Sequence, residues 1–246
     1  MLIQNNKLVR SLIQNVKKGN RSSFEQLFQM SVGKVYALCL RLLADQELAE
    51  KLTVEAYLIT WRNISFFRED VLFSSWLTGI TTHEILEWIR NNGKKWNDLD
   101  QKDIRYIREN LNSKIVVPFE FSIQSLPSEE RFVFVLHDVE KYTEDEVADL
   151  LSISKKNFKD ILEKAYKLLK LPEEIPDRVV YINSCLSSLP EVIQPEHDIW
   201  KYIFTVLNKE PSSSTNNPDE QHHTPKGEIE KKGTKKKFGF LNWKKK

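Results

Sequence analysis

Apolar residues recur at three- and four-residue intervals along most of this chain, the spacing that lines them up on one face of an α-helix. Residues 7–18 place Leu8, Leu12, Ile13 and Val16 on one such face, and Gly19-Asn20 end that helix. Ser23, with Gln26 three residues on, reads as a capping box. It opens one helix or a broken pair over 23–43, carrying Phe24, Leu27, Phe28, Val35, Leu38, Cys39, Leu42 and Leu43. Asp45 caps a third helix whose apolar face is Leu48, Leu52, Tyr57 and Trp61. Its acidic first turn suits the helix dipole. A fourth helix runs from about Ser74, a good N-cap along with Ser75, to Arg90. Trp76, Leu77, Ile80, Ile85, Trp88 and Ile89 recur along it, and a loop with Phe66, Phe67 and Phe73 around Arg68 feeds it. Aromatics beside Arg and Lys are either core or a surface on which bases stack and phosphates pair.

The pattern lapses over 91–122, which reads as a linker with one weak helix at 101–111. As flexible coil its 32 residues span roughly 30 Å. Periodicity returns at 123–171 as three helices. Ser128 caps the first, with Phe132, Val133, Val135, Leu136 and Val139 inward. Thr143 and Glu146 form a capping box on a short second helix holding Val147, Ala148, Leu150 and Leu151. After the tight turn Ser152-Ile153-Ser154, Ser154 caps a third helix with Phe158, Ile161, Leu162, Ala165, Leu168 and Leu169 inward. Six Lys (155, 156, 159, 164, 167, 170) face Asp160 and Glu163 on that helix, a net +4. Short helix, tight turn and basic capped helix form the helix-turn-helix layout, whose last helix enters the major groove. A solvated Lys-rich face is the plainer alternative.

Charge sharpens this picture. The formal net charge is +2, but residues 226–246 hold nine Lys against two Glu, so the first 225 residues are net −5. Any nucleic-acid contact must therefore come from local patches. With only seven Gly and helical spacing nearly throughout, the expected fold class is all-α. No unbroken apolar run reaches membrane-spanning length, and the first residues lack a signal peptide's apolar stretch. Cys39 and Cys185 lie far apart, as reduced thiols of a cytoplasmic protein would. No nucleophile elbow, phosphate loop or metal-ligand spacing is present, so neither enzyme nor cofactor is expected. Beyond Pro211 the composition is that of disorder. The end at 235–246 mixes six Lys with four bulky apolar residues, a composition suited to weak contact with an anionic membrane or nucleic acid.

Taken together, these motifs resemble the extracytoplasmic-function (ECF) sigma factors of bacterial RNA polymerase. In the first half the resemblance rests on Gly19, Phe24, Val35-Tyr36-Ala37-Leu38, Arg41-Leu42-Leu43, Asp45, Ala49-Glu50, Leu52-Thr53, Glu55 and Trp61. Its most specific string is Phe67-Arg68-x-Asp70-x-x-Phe73-Ser74-x-Trp76-Leu77. In the second half it rests on Leu126-Pro127, Asp138-Val139-Glu140, Glu146-Val147-Ala148, Leu151, Ile153-Ser154, Lys159 and Leu162. The resemblance implies a region 2-like domain at 1–95, a linker at 96–122 and a region 4-like helix-turn-helix domain at 123–171. A helical extension at 172–210 and a disordered basic tail at 211–246 complete the expected layout.

The same resemblance implies three contact surfaces. Asp45, Glu47, Glu50, Leu52 and Glu55 would dock on the polymerase core. Phe67, Arg68, Asp70, Phe73, Ser74, Trp76, Thr82, His83 and Arg90 would hold and melt the minus-ten element of promoter DNA. Ser154, Lys155, Lys156, Asn157, Lys159 and Lys164 would read the minus-thirty-five element. The chain departs from the family pattern at Lys51 and Val54 on the polymerase-facing helix, at Thr82-His83 in place of an Arg-Asn pair, and at Ile161, Glu163 and Tyr166. These departures leave open a second reading, a sigma-like interaction protein that occupies polymerase or a partner without opening DNA. Leu189-Pro190, Pro195 and Asp198-Ile199-Trp200 resemble the segment after the zinc-binding part of anti-sigma factors, without the zinc ligands. This implies an extension that folds back on the sigma domains, beside a separate anti-sigma partner.

Overall fold

A computed structural model describes residues 2–96, 99, 118–171, 175–188 and 193–209. Every regular element among them is helical. The expected weak helix at 101–111 and the tail at 211–246 lie outside the described residues.

Helix α1 spans Leu2–Lys17 and α2 spans Arg21–Leu43 as one continuous element. The cap of α2 is Asn20 rather than Ser23: the Asn20 side chain accepts from the Ser23 backbone N–H at 2.8 Å, so the chain is already helical at Arg21. Asn is among the best N-caps, and it puts Ser23 inside the first turn, where it is buried. Ala44 ends α2 in the left-handed region, its N–H donating to Leu40 O. Helix α3 spans Gln46–Asn63, with Asp45 capping Leu48 N as expected. A short 3-10 turn at Ile64–Phe66 follows. Helix α4, Phe73–Asn91, begins one residue before Ser74, from an extended Leu72 that offers no side-chain cap. Its first turn is held instead by packing of Phe73 against Phe67 and Trp76.

The second half starts inside what was expected to be linker, with α5 at Pro118–Gln124. Helix α6 spans Ser128–Phe134 and runs on as a wider π-helical turn through Val139. Helix α7, Glu144–Leu151, carries the full Thr143/Glu146 capping box. Helix α8, Lys155–Leu168, is capped by Ser154. Helix α9 spans Ile175–Ser188 and α10 spans Ile199–Lys209.

Two apolar clusters hold this together. One gathers Leu12, Ile13, Phe24, Phe28, Tyr57, Trp61 and Leu77 from α1 to α4 with Ile199, Ile203 and Leu207 of α10. The other joins the C-terminal half of α2 (Tyr36 to Leu43) and Ile85, Leu86 and Ile89 of α4 to Phe132–Leu136, Val147, Phe158 and Ile161. The helix-turn-helix module therefore packs its apolar face against the first bundle, and the two modules share this second cluster. The shared seam is polar as well as apolar. Arg41 Nε donates to both Glu120 carboxylate oxygens at 3.1 and 2.9 Å, and Nη2 to Oε2 at 2.8 Å, with both side chains under a tenth exposed. Arg131, fully buried, donates to the carbonyls of Leu42, Gln124 and Leu126. It thus closes the open C-terminal end of α2, whose last carbonyls have no partner within their own helix. Burial disfavours its charged form and draws its pKa down to about 10.

Candidate nucleic-acid and polymerase interfaces

Helix α8 presents its cations to solvent because its apolar residues follow the helical period closely. Phe158, Ile161, Leu162, Ala165 and Tyr166 are buried, which leaves Lys155, Lys156, Asn157, Lys159 and Lys164 exposed on the opposite side. The Ser154 hydroxyl accepts from Asn157 N–H and fixes the start of the helix. Lys155 meets Asp145 at 2.6 Å and Lys159 meets Glu144 at 3.6 Å, both across the turn to α7. These are exposed pairs of small energetic weight, so either lysine exchanges partners cheaply.

Three departures from the family pattern now have a packing account. Ile161 lies in the core. The Tyr166 hydroxyl donates to the Asp138 carboxylate at 3.0 Å, and the Arg178 guanidinium of α9 stacks over the Tyr166 ring at 4.2 Å. Arg178 also pairs with Glu163 at 3.0 Å. Burial raises the Asp138 carboxyl above its ordinary range, although His137 and the Tyr166 hydroxyl pull the other way. Residues 161, 163 and 166 are thus used for holding α6, α8 and α9 together.

The loop between α3 and α4 is anchored to α1. Lys17 Nζ donates to Phe67 O at 2.9 Å and sits 6.0 Å from the Phe67 ring centre, while Gln14 bonds Glu69. Phe67, Phe73 and Trp76 form an aromatic triad with ring centres 5.2 to 6.1 Å apart. Phe67 and Phe73 are buried and Trp76 is half-buried. What the loop offers to solvent is Phe66, Leu72, Ser74 and an Arg68–Asp70 pair closed by two hydrogen bonds. Sequence reasoning named Phe66 only as part of the aromatic loop, and neither it nor Leu72 among the site residues. The neighbouring signal is Phe67 inside the family string, which drew attention to the ring that turns inward. Along α4, Thr82 is buried, His83 is half-buried, and Arg90 is exposed and paired with Glu87 at 2.7 Å.

On α3 the expected polymerase-facing residues separate. Glu47 is exposed, Asp45 and Glu55 are half-buried, and Leu52 is 2 % exposed, a core residue rather than a surface anchor. Val54 is buried too, so of the two departures expected on this face only Lys51 reaches solvent. Glu50 is taken. Its Oε1 accepts the backbone N–H groups of Glu196 and His197 at 2.8 and 3.3 Å, and its Oε2 meets His197 Nδ1 at 2.7 Å. This raises the His197 pKa, first through the hydrogen bond and then through the carboxylate charge.

The two halves of this arrangement match known modules separately and in order. Residues 27–95 match the family model for sigma-70 region 2, and residues 119–169 match that for sigma-70 region 4. The chain belongs to the ECF sigma factor family. It is similar to the ECF RNA polymerase sigma factor SigW of Bacillus subtilis (strain 168), at 28% identity over 162 residues covering 59% of this chain and 86% of that one. It is also similar to the ECF RNA polymerase sigma factor SigE of Mycolicibacterium smegmatis, at 28% over 139 residues, 53% of this chain and 54% of the relative. Among solved structures, the sigma factor RpoE in complex with the anti-sigma factor NepR from Bartonella quintana overlaps 60% of this chain and 94% of its own. The identity there is 14% and the TM-score 0.41. In family terms, α2 to α4 make up region 2 and α5 to α8 region 4, while α9 and α10 lie beyond the matched regions. No helix among the described residues is long and apolar enough to cross a membrane.

Proposed function

We propose that this ECF sigma factor binds the RNA polymerase core in the cytoplasm and directs it to promoter DNA, which it helps to open, with no bond chemistry of its own. The observation that carries the reading is a region 2 and a region 4 module in family order, the second presenting Lys155, Lys156, Asn157, Lys159 and Lys164 to solvent on one helix. In this reading Lys155, Lys156, Asn157, Lys159 and Lys164 meet phosphates and base edges of the minus-thirty-five element, and Ser154 fixes the helix end that enters the groove. Arg68, Asp70, Ser74 and Arg90 lie along the path of the minus-ten strand. Phe66 and Leu72 supply apolar surface for unstacked bases, a role sequence reasoning gave to Phe67, Phe73 and Trp76. Capturing such bases offsets unstacking, which costs a few kcal/mol. Asp45, Glu47, Glu50 and Glu55 steer α3 to a basic surface on the core enzyme. A separate anti-sigma protein, and weak anionic-surface contact by the 235–246 segment, complete the proposed partners.

Burial of Thr82, half-burial of His83 and sequestration of Glu50 favour a second reading, a sigma-like protein that occupies polymerase without melting DNA. Transcription from promoters selected with the purified chain and core enzyme tests the first reading, and specific run-off RNA is the expected result. Core binding that displaces another sigma factor but yields no RNA would select the second.

A further inference from the structure

Along the region 2 face built by α2 and α3 lies a site that the chain fills with its own residues 196–208. The site has three parts. At one end Glu50, a carboxylate on the polymerase-facing side of α3, receives two consecutive backbone N–H groups and the His197 imidazole, while Gln46 Nε2 donates to the Glu196 carboxylate at 2.6 Å. In the middle, Ile199, Ile203 and Leu207 are buried in the same cluster as Phe24, Phe28, Tyr57 and Trp61. Trp200 stands 5.0 Å from Phe28 and 6.1 Å from Phe24, ring centre to ring centre. At the far end Arg21 donates to Leu207 O at 2.8 Å and Asn208 Oδ1 at 3.0 Å, closing the exposed carbonyl end of α10. Carboxylate, apolar groove and guanidinium are thus spaced to one helix of fixed polarity: an imidazole and free N–H groups first, then apolar residues at i, i+4 and i+8.

We infer that α10 with its Glu196-His197 lead-in is a cis-acting cover on the polymerase-docking face, and that this sigma factor engages the core only after the cover lifts. The inference rests on the assignment of α3 to polymerase docking. The cover withholds Glu50, one of the proposed docking carboxylates, whose side chain is 12% exposed. It also occupies the groove beside it with the bulk of Trp200. A protein whose competent state is fractionally populated binds its partner more weakly by that fraction.

The test uses full-length chains. Ile203→Asp places a charge in the apolar seam. Arg21→Ala/His197→Ala removes the guanidinium clamp and the imidazole–Glu50 contact and leaves the core apolar residues intact, so a folding defect in one variant does not decide the matter. Hydrogen exchange over 46–61 and 196–209 reads the cover directly, and titration with core polymerase reads the affinity. Faster exchange in 196–209, together with core binding at least tenfold tighter than the unaltered chain, is the expected result. Faster exchange with unchanged core affinity would overturn the cover and leave the polymerase assignment standing. Faster exchange with no core binding by any of the three chains would overturn the polymerase assignment, and the cover with it.

Discussion

Removing Glu120 tests whether region 4 is packed on region 2 in solution. Glu120→Ala deletes three hydrogen bonds to Arg41 and leaves a guanidinium under a tenth exposed without its paired carboxylate, Glu140 being the acid that still acts on it. Breaking a buried pair by removing one partner costs about 3–5 kcal/mol, because the stranded charge must be desolvated without compensation. At a urea m-value of about 2 kcal/mol/M this moves the unfolding midpoint down by about 1.5–2.5 M. The companion double variant Arg41→Met/Glu120→Leu replaces the pair with apolar groups of similar length and is expected to recover most of the loss, since such swaps are often neutral. Circular dichroism at 222 nm in a urea series measures both. A Glu120→Ala cost below about 1 kcal/mol, the range of exposed pairs, would mean that water already reaches Arg41. The two modules would then part in solution and the shared core would be refuted.

Other expectations follow from the same contacts. Lys156→Glu and Lys159→Glu are each expected to weaken promoter binding by the holoenzyme and to lower its salt slope by about one per lost phosphate contact; unchanged slopes in fluorescence anisotropy would remove α8 from the DNA interface. The raised pKa of His197 makes its contribution to holding α10 complete below about pH 6.5, the ordinary histidine value. That contribution is lost as pH rises through the higher folded value. Hydrogen exchange of 199–209 should therefore quicken from pH 6 to pH 8 once corrected for intrinsic rates, and not in His197→Ala. Glu50 and Glu196 are the charges facing this imidazole. Trp61→Ala should cost about 3–5 kcal/mol, and half-buried Trp76→Ala less than about 3 kcal/mol with the fold retained; equal losses by urea denaturation would contradict the burial difference. Cys39, fully buried with its thiol pushed up to about 12, should resist iodoacetamide in the native protein, whereas half-buried Cys185 should react first by mass spectrometry.

Which parts were legible from the residues alone has a physical pattern. Helices capped by Asp45, Thr143 and Ser154 were readable because the cap, the first turn and the apolar period all lie within a dozen residues of each other. The helix-turn-helix and the outward Lys face of α8 followed for the same reason. What escaped was long-range pairing. Arg41 looks like one charge on an apolar helix, and nothing local marks Glu120, 79 positions away, as its partner. Leu52, Val54 and Ile161 are apolar residues whose side of the helix is decided by neighbours from other elements. The Phe67–Phe73–Trp76 triad was legible as aromatic but not as inward-facing, because Phe66 and Phe67 are adjacent and either can serve as the buried ring. The Asp198-Ile199-Trp200 run pointed to an extension that folds back. Its seat on Glu50 depends on two backbone N–H groups, which carry no sequence signal.

The polar seam between Arg131 and the end of α2 has a mechanical corollary. Parting the two modules strips the lid from the Leu42 carbonyl and bares the phenylalanines of α6 at the same moment, so neither half leaves as a finished globule. Any agent that parts them must lend surface of its own, oily in one place and hydrogen-bonding in another. The opening is then a hand-over from one set of neighbours to the next rather than a release into water.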